Sequence, residues 1–410
     1  MRVLWFSVIP LLAPQHGVTH NGGGWISSLM HIVLKHKEIE LGIAYNLPAD
    51  PGKSKCEGVT YYAIAPYQPG IIKKITHRIA EEDIISPYLK VVEDFQPDLI
   101  QIFGSESDFG LICKHVNVPI VIHLQGSLPP YSNALFPVGM NLFDFLFTRG
   151  LPFRKRIMGL LAPLSFKRNS EREINIIQSC QYFMGRTNWD RGLIELFNPK
   201  AQYYHCEEAL RDSFIQSPHH WEWKERKEKV IVSVISQPWY KGVDLILKTA
   251  QLLKRFTDIN FKWHIYGIKD ISFFEHKYNI KASEENVYPK GTASKEELVS
   301  ILLEASCFVH PSYIENSPNS ICEAQLLGVP VVATHVGGVA TLLKNGEAGI
   351  LIPTNAPYTL ANTLSHLVKN QKQCELMSAN ERQTAFIRHD PETIKRVILR
   401  IYQDILHQKK

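Results

Sequence analysis

Apolar runs of strand length alternate with helix-patterned stretches along nearly the whole chain, and the alternation starts afresh about halfway. In the first half, strand-like runs fall at 2–8, 40–45, 98–103, 119–123 and 182–185, with helical patterns at 24–35, 81–95 and 168–180. In the second half, strands are expected at 229–235, 261–267, 307–310 and 330–333, and helices near 243–256, 295–304, 320–327 and 358–369. Such alternation implies parallel sheets with helices on both faces. A chain of 410 residues is too long for one core. Two runs therefore imply two doubly wound α/β domains. The boundary is expected in 206–229, a charged and aromatic stretch with little periodicity, giving domains 1–206 and 207–390. After His389-Asp390-Pro391 a last helix, 392–406 within 391–410, is expected to cross back onto the first domain.

Composition narrows the class. The chain is 45% hydrophobic and 21% charged, ordinary for a globular protein. Its formal charge of +5 comes without a long basic run interleaved with aromatics, which argues against nucleic acid as a partner. Seven cysteines form no CxxC pair and no zinc spacing, and read as reduced thiols of a cytoplasmic protein. No apolar run reaches the length of a membrane span, about 18 residues or more. The opening MRVLWFSVIPLLAP reads as a first buried strand leading to a glycine turn rather than as a signal peptide.

Ligands of open parallel sheets gather at the carboxyl ends of the strands. After the first strand come His20-Asn21-Gly22-Gly23-Gly24, where backbone can approach an anion before a helix starts, although a plain strand-to-helix turn explains them as well. His123 ends VPIVIH, either as a satisfied core histidine or as a donor to a sugar hydroxyl. Lys241-Gly242 begin a helix, where a lysine can neutralise a leaving phosphate or lie solvated on the surface. The richest segment is HPSYIENSPNSICEAQLLGVPVVATHVGG. Glu323 fits a capping box with Ser320, or Ser317 caps the helix with Pro318 in its first turn. Neither accounts for Glu315 beside Asn316 and Asn319. The chain has no Asp-x-Asp, HExxH, Walker loop or GxSxG. A bound diphosphate is thus expected to be neutralised by amides, helix dipoles and Lys241, with no metal.

Taken in order, these residues resemble the retaining glycosyltransferases of the GT-B fold in glycosyltransferase family 4 (glycosyl transferases group 1). The E-x7-E motif stands as Glu315-NSPNSIC-Glu323, followed by PVVAT, with Gly23-Gly24, His123 and Lys241-Gly242 at the matching places. The resemblance covers most of the chain and is strongest over 229–353. It implies two Rossmann-like doubly wound parallel-sheet domains facing a central cleft, the first on the acceptor side and the second binding a nucleotide sugar. By position, Glu315, Lys241 and His123 take the catalytic roles. Gly23, Gly24, Ser236, Gly242, Tyr288, Pro289, Asn316, Ser317, Pro318, Asn319, Ser320, Ile321 and Glu323 contact the donor. Two departures stand out. Ser236 occupies the place of an arginine, so Arg186 is a candidate for the missing diphosphate contact. Ala340 and Thr341 follow the second glycine pair where many members carry a glutamate.

The implied reaction moves a hexose or N-acetylhexosamine from a UDP-, GDP- or ADP-sugar to a hydroxyl of a glycan or lipid-linked acceptor, with the anomeric configuration retained and no cofactor. That suits bacterial polysaccharide or glycolipid synthesis. A sugar-nucleotide epimerase of the same fold and a non-catalytic two-domain sugar-binding protein are the alternatives. Finally, 149–172 mixes Arg149, Arg154, Lys155, Arg156, Lys167 and Arg168 with Met158, Leu160, Leu161 and Phe166. The segment reads either as a contact with an anionic membrane, at its cytoplasmic face, or as an ordinary solvated basic helix.

Overall fold

The computed structural model describes residues 1–11, 24–36, 38–47, 49–67, 80–147, 153–236 and 239–408, without the side chains at 145, 147, 154, 155, 158 and 159. The chain divides into two compact units. The first comprises Met1–Leu128, Asn169–Ala209 and His389–Lys410, and the second Pro129–Arg168 and Leu210–Arg388. The second unit thus takes 129–168, which the sequence reading left with the first domain. The reason is packing: Met140 belongs to the second core, Phe136 lies against it, and Asp144 pairs with Lys277 at 2.6 Å. The stretch expected as a boundary is also well built, since Trp221 is buried and its indole N–H donates to the Ala305 carbonyl at 2.7 Å.

The first unit carries β1 (Arg2–Ser7), β2 (Glu40–Asn46), β3 (Gly52–Cys56), β4 (Val59–Ile64), β5 (Leu99–Phe103), β6 (Ile120–His123), β7 (Tyr182–Gly185) and β8 (Gln202–His205). They form one sheet in the order β3-β4-β2-β1-β5-β6-β7-β8, parallel except for β3 against β4. The interior strands are buried on both faces, so they read as unbroken apolar runs rather than as alternation. The Pro391–Gln408 helix buries Ile394, Ile398, Ile401, Tyr402 and Ile405, a 3.6-residue stripe, in the same core as Trp5 and Trp25.

The second unit carries β9 (Lys229–Val234), β10 (Phe261–Tyr266), β11 (Val287–Gly291), β12 (Cys307–His310), β13 (Val331–Thr334) and β14 (Ile350–Ile352). Their order is β11-β10-β9-β12-β13-β14, all parallel. The chain travels outward from β9 to β11, then returns to the other side of β9 with β12. The winding direction therefore reverses between β9 and β12, where doubly wound sheets open a crevice for ligands. In the first unit the same reversal falls between β1 and β5.

One helix differs from expectation. The pattern predicts 168–180, but the helix runs from Phe153 to Ser179, straight through Pro163. A proline in a helix removes one hydrogen bond and favours a stop; here the surrounding residues continue the helix on both sides.

Candidate functional site

Everything decisive in the second unit sits at the carboxyl ends of β9 and β12. Past β9, Ser236 is exposed and Lys241-Gly242 open the Val243–Phe256 helix. Gly242 has φ +80°, and a Cβ there would lie 2.1 Å from the Pro311 carbonyl oxygen. From the other side, Gly337 has φ +47°, and a Cβ would lie 1.9 Å from the Glu315 carbonyl oxygen. The Gly338 N–H donates to that carbonyl at 3.0 Å, and the Tyr313 N–H to the Tyr240 carbonyl at 2.7 Å. Backbone thus clamps the loop 311–315 from two directions, at distances only glycine permits.

The clamp fixes the Glu315 carboxylate. Its Oε1 accepts from the Lys241 ammonium, from the Ser312 hydroxyl at 3.2 Å, and from His310 Nε2 at 3.3 Å. Ser312 Oγ also lies 3.0 Å from His310 Nε2. Because Nε2 faces a carboxylate oxygen, it carries the proton of the neutral ring, and Nδ1 is left buried with no partner. Glu315 Oε2 has no partner among the described residues. Burial by itself raises the Glu315 carboxyl, yet the Lys241 charge and the His310 hydrogen bond bring it down to about 2. Burial lowers His310. The result is an ionised carboxylate with one oxygen saturated and the other unspent. His310 and Ser312 escaped the sequence reading; the dipeptide-spaced His-Pro-Ser just ahead of the loop was the available signal.

The helix that follows, Asn319–Leu327, has Pro318 at its N-cap and no side-chain cap. The expected Ser320–Glu323 box does not form, because the Glu323 carboxylate turns to Arg211. Its Oε1 receives Arg211 Nε at 2.7 Å and Nη2 at 2.6 Å. Nor does Ser317 cap: its hydroxyl is buried without a partner. Asn316 is buried, and Ile321 donates back to the Pro318 carbonyl. Pro318 thus gives this helix N-terminus no side-chain cap, and the positive end of a helix dipole favours an anion. Burial raises the Glu323 carboxyl against the pull of Arg211. Tyr288 and Pro289 lie on β11, separated from β9 by β10, with Tyr288 6.0 Å from His264. The structure does not bring them to the Lys241–Glu315 pair. Among the described residues, no three of His, Cys, Asp and Glu converge as a metal-ligand set.

In the first unit, Gly23 lies outside the described residues and Gly24 begins the Gly24–Leu34 helix. The His123 ring is fully buried, edge-on to Trp25 at 4.9 Å and stacked on Phe103 at 5.8 Å. A chain of polar contacts orients it: Trp5 Nε1 donates to Tyr402 Oη, Tyr402 to Gln101 Oε1, and Gln101 Nε2 reaches His123 Nδ1 at 3.3 Å. Burial and the nearby Arg186 charge hold the ring neutral. His123 is thus a buried, buttressed histidine whose Nε2 has no hydrogen-bond partner among the described residues. Arg186 is likewise buried. It pairs with Glu208, donates to the Leu124 carbonyl at 2.9 Å and stacks over Trp25 at 4.9 Å. Its charge is already matched by that of Glu208. A carboxyl pair that the sequence did not announce sits past β5: Glu173 accepts from Ser105 at 2.6 Å and from the Leu128 amide at 2.7 Å. Burial, then the charge of Glu106, push it up to about 7.

With this geometry in hand, comparison with known proteins is specific on class. Residues 216–384 match the family described as Glycosyl transferases group 1. Over 118 residues the chain is 34% identical to the D-inositol 3-phosphate glycosyltransferase of Thermobifida fusca, covering 28% of this chain and 26% of that one. The chain thus spans about a quarter of that curated relative's length. Sucrose-phosphate synthase from Thermosynechococcus elongatus superposes with TM-score 0.72 at 15% identity, over 99% of both chains. Anabaena HepE in complex with UDP and glucose gives TM-score 0.66 at 14% identity, over 98% of this chain and 100% of that one. The fold is GT-B, two parallel-sheet α/β domains.

Proposed function

We propose that this chain is a retaining glycosyltransferase of family 4. In this reading it moves a hexose or N-acetylhexosamine from a nucleotide diphosphate sugar to a hydroxyl of a glycan or lipid-linked acceptor, without a divalent metal. One observation carries it: at the β9–β12 reversal, an ammonium, a half-saturated carboxylate and an uncapped helix N-terminus stand together. Breaking the C1–O bond builds negative charge on the β-phosphate and positive charge on the sugar. Lys241 and the first amides of the Asn319–Leu327 helix meet the former. Glu315 Oε2, ionised at neutral pH, steadies the latter. The acceptor attacks from the face the phosphate leaves, and a phosphate oxygen takes its proton. Losing one such fixed donor typically costs about 2.7–4 kcal/mol of the barrier. Glu323 Oε2 is positioned for ribose hydroxyls while Arg211 holds Oε1. The acceptor role falls to the first unit. The likeness to HepE, which holds UDP and glucose, supports the donor class.

The test is nucleotide release from UDP-, GDP- and ADP-sugars, chosen by thermal shift, with anomeric NMR of the product. Retention with activity undiminished in EDTA is expected. Inversion, or turnover lost in EDTA and restored by manganese, refutes the mechanism. Isomerisation of the donor without an acceptor identifies an epimerase instead.

A further inference from the structure

The chain shows a concentrated apolar surface. Eight of the fifteen exposed large hydrophobic side chains among the described residues fall between Val138 and Leu164. Within the Phe153–Ser179 helix, Phe153, Ile157, Leu161 and Leu164 are all exposed, Phe153 at 78%. Their spacing of four, four and three residues places them on one side of a helix. In the short Leu142–Phe147 helix just before it, Phe143 is 66% exposed and Leu142 and Leu146 are exposed as well. Leu160 and Phe166, apolar residues that the sequence put in this surface, are half-buried instead. A clustered apolar face of this kind marks an interaction site rather than ordinary surface scatter.

The charge pattern selects the occupant. From residue 145 to residue 170 the chain has six basic residues and no acidic one. The preceding Asp144 is neutralised by Lys277. Lys167 and Arg168 are exposed three and four residues beyond Leu164, one turn further along the same helix. An amphipathic helix with aromatic and aliphatic side chains on one side and basic residues around it lies in the headgroup region of an anionic bilayer. No helix among the described residues is long and apolar enough to cross a membrane, so the contact is one of lying on the surface.

We infer that the exposed faces of the Leu142–Phe147 and Phe153–Ser179 helices are a peripheral docking surface for anionic lipid, with Phe153, Ile157, Leu161 and Leu164 entering the acyl boundary and Lys167 and Arg168 meeting the headgroups. It rests on exposure and charge, not on the catalytic reading, and either can fail alone. The test is flotation of the full chain with phosphatidylcholine vesicles, with and without about 30% phosphatidylglycerol, at about 0.1 M and about 0.5 M salt. Binding to the anionic vesicles alone is expected, weakened by salt. Phe153→Ser with Leu161→Ser, and separately Lys167→Glu with Arg168→Glu, should each cut the bound fraction by about tenfold. Because these side chains are exposed, both variants should melt with the parent and retain transfer to a soluble acceptor. Equal binding to neutral vesicles, no binding by the parent, or variants that float as the parent does overturn the inference. So does a parent that sediments as a dimer and becomes monomeric only in the serine variant, which assigns the face to a second copy of the chain.

Discussion

Lys241→Met isolates the charge arrangement at the end of β12. The substitution keeps most of the side chain's length and its apolar stem, and removes only the charge facing Glu315. The two side chains are 15% and 7% exposed, so water screens them little. Burial alone would push the Glu315 carboxyl up, yet it titrates at about 2 against an ordinary 4.5 because Lys241 and His310 favour its charged form. At about 1.4 kcal/mol per pH unit, the difference of 4.5 minus 2 corresponds to roughly 3 kcal/mol of folding free energy at neutral pH. The folded carboxyl titrates below the unfolded one. Its contribution is therefore complete above pH 4.5 and fades as the pH falls toward 2. Lys241→Met should lower the melting temperature of the second unit by about 6–12 °C at pH 7, and the gap to the parent should close in acid. The double variant Lys241→Met, Glu315→Gln should recover most of the loss, because no buried charge is then left unpaired. Scanning calorimetry across pH, without donor, reads all three proteins. A single variant melting within about 1 °C of the parent at pH 7, or a double variant no more stable than the single one, refutes the reasoning.

Arg211→Ala should raise the KM for donor with little change in kcat, since Arg211 pins the Glu323 carboxylate but touches no reacting atom; an unchanged KM removes it from the site. His310→Phe deletes a hydrogen bond to a charged acceptor, worth about 1.5–3 kcal/mol, so turnover should fall roughly ten- to hundredfold, with His310→Gln partly rescuing it; equal activity in both would show that the ring does not position Glu315. Glu173 titrates higher when folded, at about 7 against 4.5, so its contribution is complete below pH 4.5 and is lost as pH rises through 7. Glu173→Gln should therefore be more stable than the parent at pH 8, by roughly 3 kcal/mol, and lose that advantage at pH 5, as urea titration would show. Pro318→Asp supplies the missing helix cap. It should leave the melting temperature unchanged or higher while raising donor KM by about tenfold, and tighter donor binding would argue against an anion seat at this helix.

The sequence revealed what depends on local pattern. Strands buried on both faces were legible as apolar runs, and Tyr182–Gly185, Glu81–Phe95, Val243–Phe256 and Cys307–His310 were read to the residue. Strand β3, Gly-Lys-Ser-Lys-Cys, was missed because it has no apolar face, whereas β4 was missed although it is buried throughout; the positive φ of Glu57 and Gly58 marks their two-residue turn. The Gln371–Arg388 helix escaped because its buried side includes Ser378 and Glu381 as well as Cys374 and Met377. Glu381 is tolerated there because the Val331 amide donates to it at 3.0 Å, a contact across 50 residues. At the site, Glu315, Lys241 and Gly242 were legible by spacing. Arg211 was not, since its partner lies 112 residues away. A motif announces which side chains carry chemistry; it does not show which distant groups already occupy them.

That distinction governs the charge balance. Counted by sequence, the second unit offers a lysine and lacks an arginine, and a first-unit arginine looks free to help. Counted by contacts, Arg186 is spent on Glu208, Arg211 on Glu323 and Lys241 on Glu315. Within the second unit, Lys241 and Arg211 are each matched by a carboxylate of the motif, so the arrangement is close to neutral before a ligand arrives. A diphosphate then needs a positive field that is not an ion pair. The Asn319–Leu327 helix provides one, equivalent to about half a charge at its N-terminus, and Pro318 leaves it without a side-chain cap. Lys241, with three donor positions and only one acceptor oxygen engaged, can add a phosphate without abandoning Glu315. The serine at 236 is then explained: binding relies on amides aimed by a backbone that Gly242 and Gly337 hold in place, and the side chain that leaves least room for substitution in this site is the one glycine does not have.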